Sequence, residues 1–276
     1  MKLTDAQQSP SATRYWRAGR GAAVVLIHGV GLDATMWQAQ MPVLSERYEL
    51  IAYDMLGHGQ SPLPPEDVTL DDYADQLARL LDELGLATVS VVGFSMGGLV
   101  ARAFALRHPD RLRSMVILSS VFNRNEHQRA GVRQRLEQAR TLGPSANVDQ
   151  ALERWFSSGF RAAYPECIAA VRDRVSSNDP EGYYRSYALF GTQDGFGVDR
   201  LASVRVPVLI ATGELDPGST PQMAYALAEH LPDARVQILD GQRHMAPVEA
   251  ADQVNDLLLG FFREVHNRAL HEETLG

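Results

Sequence analysis

The sequence predicts an α/β fold, a doubly wound and mostly parallel sheet with a helical lid inserted into it. Three observations predict it. Short runs rich in Val, Ile and Leu recur along the 276 residues and are apolar on both faces, as strands are when helices cover both sides of a sheet. Each run is followed by a longer stretch of helical periodicity, and strand–helix alternation winds a parallel sheet. One region, 123–200, carries no convincing strand. At roughly 75 residues it is too long for a plain connection.

The elements follow in order. AAVVLIHG (22–29) and YELIAYD (48–54) read as the first buried strands. A helix is predicted over 69–85. Thr69 caps it, Asp71 and Asp72 suit the positive end of its dipole, and Gly85 ends it. Leu70, Tyr73, Leu77, Leu80, Leu81 and Leu84 form its apolar stripe. TVSVVGF (88–94) is a strand that runs straight into a helical pattern, and RSMVILSS (113–120) is the next strand. Residues 123–200 are helical, Arg-rich and aromatic, and are expected to lie as a lid over one end of the sheet. VPVLIATG (206–213) and ARVQILDG (234–241) complete the strands. A last helix spans 249–265, with Val254, Leu257, Leu258, Phe261 and Phe262 inward. The domain reading is one core, 1–122 with 201–276, carrying the 123–200 insertion.

Composition narrows the function. The net charge of −8 argues against a nucleic-acid partner, which needs a basic patch. Cys167 is the only cysteine, so no intrachain disulfide and no cysteine-based metal cluster can form, and it is expected to be a buried, inert thiol. The first 16 residues lack the apolar segment of a secretory signal, and no apolar run approaches the ~18 residues of a membrane span. A cytoplasmic protein with a small-molecule substrate and no membrane partner is the default expectation. Nothing in the sequence reads out its oligomeric state.

The chemistry starts at GFSMG, 93–97. A serine on a tight strand-to-helix turn is forced into strained backbone angles. Its neighbours two residues away must then lack side chains. The turn leaves the hydroxyl of Ser95 exposed at a helix N-terminus, where free backbone N–H groups, that of Met96 among them, can hold a negatively charged oxygen. A serine needs a base held by an acid, from later strand ends in the order Ser, acid, His. Asp216 falls in the turn after the 206–213 strand and is preferred over Glu214 at the strand end. His244 falls in the loop after the last strand and is preferred over His28, His58, His108 and His230. The glycines of HGVG, 28–31, let the amide of Val30 serve as the second oxyanion donor, with His28 bracing the loop. Asp54, His58 and Ser61 are expected to hold their own turn through side-chain to backbone bonds.

HGVG, DMLGHGQS, GFSMGG, GELD and RHMAPVE, in this order, resemble the α/β-hydrolase superfamily over roughly residues 20–265. The resemblance implies a serine hydrolase with Ser95 as nucleophile, His244 as base, Asp216 as acid, Val30 and Met96 as oxyanion-hole amides, and no metal or organic cofactor. Within the superfamily, HGVGLDATMWQAQ, GFSMGG and the compact lid look like 3-oxoadipate enol-lactonases and related small carboxylester hydrolases. RHMAPVEAAD departs from an enol-lactonase near His244, which leaves the substrate open. Haloalkane dehalogenases and epoxide hydrolases place aspartate where Ser95 stands. Carbon–carbon bond hydrolases fit Phe94 and HGVGLD less well.

The expected activity is hydrolysis of a small ester or lactone, such as an enol-lactone or a carboxylated catabolic intermediate. Carbon–carbon, amide or enamide hydrolysis by the same three residues is the alternative, and a non-catalytic ligand-binding role is a further one. Trp37, Trp155, Phe156, Phe160, Tyr183, Tyr184, Tyr187 and Phe190 are candidate lining for an apolar pocket, against their reading as core packing. Arg124, Arg133, Arg154, Arg161 and Arg185 are candidates to hold a substrate carboxylate, against the plainer reading of a solvated charged face.

Overall fold

The structure is a computed structural model that describes residues 5–275, with side chains up to residue 268. Eight strands form one sheet. They are β1 (Gln7–Gln8), β2 (Arg14–Ala18), β3 (Ala23–Ile27), β4 (Glu49–Tyr53), β5 (Val89–Phe94), β6 (Leu112–Leu118), β7 (Val208–Gly213) and β8 (Ala234–Leu239), in the spatial order β1-β2-β4-β3-β5-β6-β7-β8. The six strands from β3 to β8 pair in parallel. β3, β5 and β7 are buried along their whole length, as a sheet covered on both faces requires.

Three strands depart from the sequence reading. β2 pairs antiparallel with β4, from Tyr15 opposite Tyr53 to Ala18 opposite Leu50, and β1 pairs antiparallel with β2. RYWRA carries two arginines, Arg14 and Arg17, and no apolar run. Its place depends on the waiting β4 ladder and on the burial of Tyr15 and Trp16. β8, expected to be apolar on both faces, is only partly covered. Arg235 and Gln237 are exposed because β8 is the sheet's edge.

Helix α1 (Met41–Leu44) is short, and α2 (Leu70–Leu84) is the long helix before β5. Thr69 and Asp72 form a capping box on α2, with the Thr69 N–H donating to Asp72 Oδ2 at 2.7 Å, and Gly85 ends the helix in the left-handed region at φ 69°. α3 (Met96–Arg107) follows β5 with only Ser95 between. Between β6 and β7 lie α4 (Glu126–Leu142), α5 (Val148–Trp155), α6 (Ser158–Ala163), α7 (Pro165–Ser176) and α8 (Pro180–Thr192), with no strand among them. After β7 comes α9 (Pro221–Ala228). The helix read over 249–265 is α11 (Ala251–Leu275), which begins two residues later and runs longer, and a short α10 (Ala246–Glu249) precedes it, parted at Ala250.

The hydrophobic core runs from the sheet into the inserted helices without a break, taking in Val148, Leu152, Ile168, Val175, Tyr183 and Tyr187. Topology fixes where a site can form. From β3 the chain moves to β4 on one side and then to β5 on the other. The order reverses there, and a crevice opens at the carboxyl ends of β3 and β5.

Candidate active site

Ser95 stands in that crevice, between the last residue of β5 and the first of α3, at φ 55° and ψ −114°. A non-glycine residue there stores about 1–3 kcal/mol of strain, which the surroundings must hold. The Ser95 N–H donates to Leu118 O at 2.8 Å, and Ser120 Oγ donates to Ser95 O at 2.7 Å. The flanking glycines are sterically required. A Cβ at Gly93 would land on the backbone of Gly97. A Cβ at Gly97 would come within 2.5 Å of the Ile27 carbonyl oxygen.

Asp216 and His244 come from two loops that the end of β7 draws together. A Cβ at Gly213 would meet the carbonyls of Gln242 and Arg243, and Leu215 N–H donates to Gln242 O at 2.9 Å. In this contact His244 Nδ1 lies 2.7 Å from Asp216 Oδ2. The other oxygen, Asp216 Oδ1, accepts from the amides of Gly218 (2.9 Å) and Ser219 (3.0 Å). Glu214 turns away, its Oε2 accepting from Gly241 N–H at 2.8 Å. The His244 ring lies between Phe94, at 5.0 Å, and Trp155, stacked at 6.1 Å. With Nδ1 engaged by the carboxylate, Nε2 is the ring nitrogen left to exchange a proton.

The loop after β3 is held from behind by two neutral histidines. His28 Nε2 accepts from Met55 N–H at 2.9 Å, and His58 Nε2 accepts from Gly31 N–H at 3.0 Å. Burial pushes both imidazoles down to about 3, and for His58 the neighbouring His28 pushes the same way. The Leu32 amide donates to Gly29 O. Among the described residues the Val30 amide has no such acceptor, and Val30 lines the cavity. Met96 opens α3, so its N–H is one of those a helix leaves free. In the neighbouring turn Asp54 Oδ1 accepts from Ala34 N–H, its Oδ2 accepts from Gln60 N–H, and Ser61 Oγ donates to Asp54 O.

Ser95, Asp216 and His244 share a cavity of about 280 Å³ with Val30, Trp155, Tyr183, Tyr187 and Phe190. Arg124 and Arg154 also line it. Two of the expected substrate contacts lie elsewhere. Trp37 is fully buried one layer back, its ring edge-on to Phe94 at 6.4 Å. Arg133 is on the exposed side of α4 and pairs with Glu126 at 2.6 Å. Of the other candidates, Phe156 stacks on Phe160 away from the cavity, and Arg185 pairs with Glu181. Tyr184 and Arg161 are not on its wall either. Cys167 is half-buried rather than buried.

The sequence reading missed Arg135, which lines the cavity from α4. The signal was present. Val132, Leu136 and Ala139 mark the inward face of α4, and Arg135 lies on it, whereas Arg133 is two residues, and so more than half a turn, from Arg135. Among the described residues, no group of three or more His, Cys, Asp or Glu could hold a metal ion, and no helix is long and apolar enough to cross a membrane.

The sheet, the strained serine turn and the His–Asp pair define an α/β hydrolase. The sequence profile of the alpha/beta hydrolase fold matches residues 22–251, and the chain belongs to that family. It is 31% identical over 88% of its length to the (E)-2-((N-methylformamido)methylene)succinate hydrolase of Acinetobacter baylyi, covering 91% of that protein. It is 28% identical to 3-oxoadipate enol-lactonase 2 of the same organism, over 84% of this chain and 85% of the relative. In three dimensions it is similar to a thermophilic esterase from Thermogutta terrifontis, solved with malate bound. That match has a TM-score of 0.85 at 28% identity and covers 95% of this chain and all of the other.

Proposed function

We propose that the protein is a serine hydrolase that cleaves a carboxylic ester or lactone of a small molecule through an acyl-enzyme on Ser95. The observation that carries this reading is the His244–Asp216 bond of 2.7 Å in a cavity that also holds a strained serine at the start of α3. His244 Nε2 takes the proton of Ser95 Oγ as the oxygen attacks the carbonyl. Asp216, itself fixed by two backbone amides, keeps the imidazole oriented and steadies its positive charge. The amides of Val30 and Met96 receive the oxyanion, each worth about 3 kcal/mol in comparable sites. His244 then returns the proton to the leaving oxygen, and water repeats the cycle on the acyl-enzyme. The helices of 123–200 act as the lid that shapes the cavity and excludes bulk water.

The esterase and enol-lactonase relatives support an ester or lactone as substrate. A second reading, cleavage at an amide or enamide nitrogen, is favoured by the 31% identical relative, whose name describes a methylformamido compound. The same residues would serve it, with His244 protonating nitrogen instead of oxygen.

The test is turnover of p-nitrophenyl acetate and butyrate, and labelling by a fluorophosphonate, for wild type beside Ser95→Ala. The expected result is labelled, active wild type and loss of more than about a thousandfold in turnover in the variant. Wild type that neither turns over nor is labelled would overturn the proposal. Rates on matched anilides and esters of one acyl group separate the two readings.

A further inference from the structure

The cavity wall carries more positive charge than the protein neutralises. Arg124, Arg135 and Arg154 all line it, whereas the only carboxylate there among the described residues is Asp216, already engaged by His244 and two amides. This happens in a chain of net charge −8. The three arginines are not equivalent. Arg124 is compensated. Its guanidinium lies 3.8 Å from Asp194, donates to Phe190 O at 2.9 Å and packs over the Phe190 ring.

Arg135 and Arg154 are not compensated. Arg135 donates through Nε to the Tyr187 hydroxyl at 3.0 Å, which sets the plane of the guanidinium. Its two terminal nitrogens have no partner among the described residues. Arg154, from α5, makes no hydrogen bond or ion pair with any described residue. Burial, and then the charge of Arg135, both lower its affinity for its proton. Two half-buried guanidinium groups of like charge, held near one another on a pocket wall with no acid between them, repel each other and lack part of their hydration. An anion between them removes both costs. The planar fork of an arginine matches a carboxylate, to which it can donate two parallel hydrogen bonds.

We propose that Arg135 and Arg154 form a carboxylate-binding subsite, so that the substrate of the hydrolase is a small acid whose scissile carbonyl lies at Ser95 while a separate carboxylate is held between α4 and α5. This rests on the serine-hydrolase reading and deepens it. The subsite explains why Tyr187 turns its hydroxyl to Arg135. It also makes a neutral ester a poorer substrate than a carboxylated ester of the same size, since the neutral one leaves both half-buried guanidinium groups unpaired.

Binding tests this without requiring turnover, so it fails separately from the proposed chemistry. Calorimetric titration of the Ser95→Ala protein uses succinate, glutarate and adipate as probes, with succinamide as the uncharged control. The expected result is that at least one dicarboxylate binds and succinamide does not. Adding Arg135→Met or Arg154→Met to that protein weakens the binding tenfold or more, Arg154→Lys by less, and Arg133→Met, on the exposed side of α4, by less than twofold. Melting curves of each variant check that it is folded. If no dicarboxylate binds at 10 mM, an order-of-magnitude ceiling for a charge-paired site (about 10 mM), or if binding survives removal of both arginines, the subsite does not exist.

Discussion

Ser95 keeps a positive φ because its neighbours forbid any other path for the chain, and Gly97 shows how closely the turn is built. Its Cα faces the carbonyl oxygens of Ile27 and His28, at 2.5 and 2.7 Å from where a Cβ would stand. The first oxygen ends β3 and the second belongs to the next residue, and both residues are fully buried and cannot move aside. Gly97→Ala should therefore cost about 3 kcal/mol or more by overpacking. Gly260, in α11, is a contrasting glycine. Nothing lies within 4 Å of its added Cβ, and Gly260→Ala should stabilise by about 0.5–1 kcal/mol. Denaturant unfolding of the two variants checks opposite signs for the same chemical change. Equal effects would mean that helix propensity, and not the β3 contact, governs position 97.

At the scale of elements, the end of α7 is stitched to the loop that offers the Val30 amide. Asn178 Nδ2 donates to Gly31 O and to Val175 O, both at 2.8 Å, and Arg174 reaches both Asn178 Oδ1 (3.1 Å) and Asp33 Oδ2 (3.3 Å). Gly31, at φ 77°, has the Tyr183 ring 2.9 Å from where a Cβ would stand. The inserted helices thus position the loop beside Ser95 as well as lining the cavity. Asn178→Ala leaves the Gly31 carbonyl without its buried donor, a loss of about 1–3 kcal/mol. On the proposed mechanism this loop serves the oxyanion, and the expected outcome is then a kcat for a p-nitrophenyl ester reduced roughly tenfold with KM little changed. Arg185→Ala, off the cavity wall, should change kcat by less than twofold. A matching rise in KM for Asn178→Ala would mean that the residue shapes the pocket rather than the loop.

For the whole molecule, the buried titratable groups behind the site set the response to acid. His28 and His58 have pKa values lowered from 6.5 to about 3, so between those limits the unfolded chain binds two protons that the folded one refuses. Stability then falls as pH falls, by about 1.4 kcal/mol per pH unit for each group. Asp54 opposes them. Burial raises its pKa from 3.8 to about 6, so in that window the folded state holds a proton that the unfolded chain has released. Two protons against one leaves a net loss of about 1.4 kcal/mol per unit from pH 6 down to 4. Unfolding free energies measured across that range should show a slope near one proton. A flat profile would mean that His28 or His58 becomes charged inside the fold.

Much of this was legible in the sequence, for local reasons. The parallel strands inside the sheet announce themselves because burial on both faces forces continuous Val, Ile and Leu. The serine turn does so because its strain admits only glycine at 93 and 97, and α2 does so through Thr69, Asp72 and Gly85. What the sequence hid depends on partners far along the chain. RYWRA becomes β2 only against β4. Trp37 packs behind Phe94 instead of entering the cavity. Arg135 rather than Arg133 faces inward because α4 rests one particular side on α8 and the 144–147 turn. The sequence by itself determined the fold class and the residue types that the chemistry needs, since both follow from steric and burial rules acting over a few neighbours. Only the tertiary structure decided that Asp216 and not Glu214 meets His244, and which arginines are left without an acid. Those outcomes are set by how β7, β8 and the inserted helices pack, and packing joins residues that chain order keeps apart.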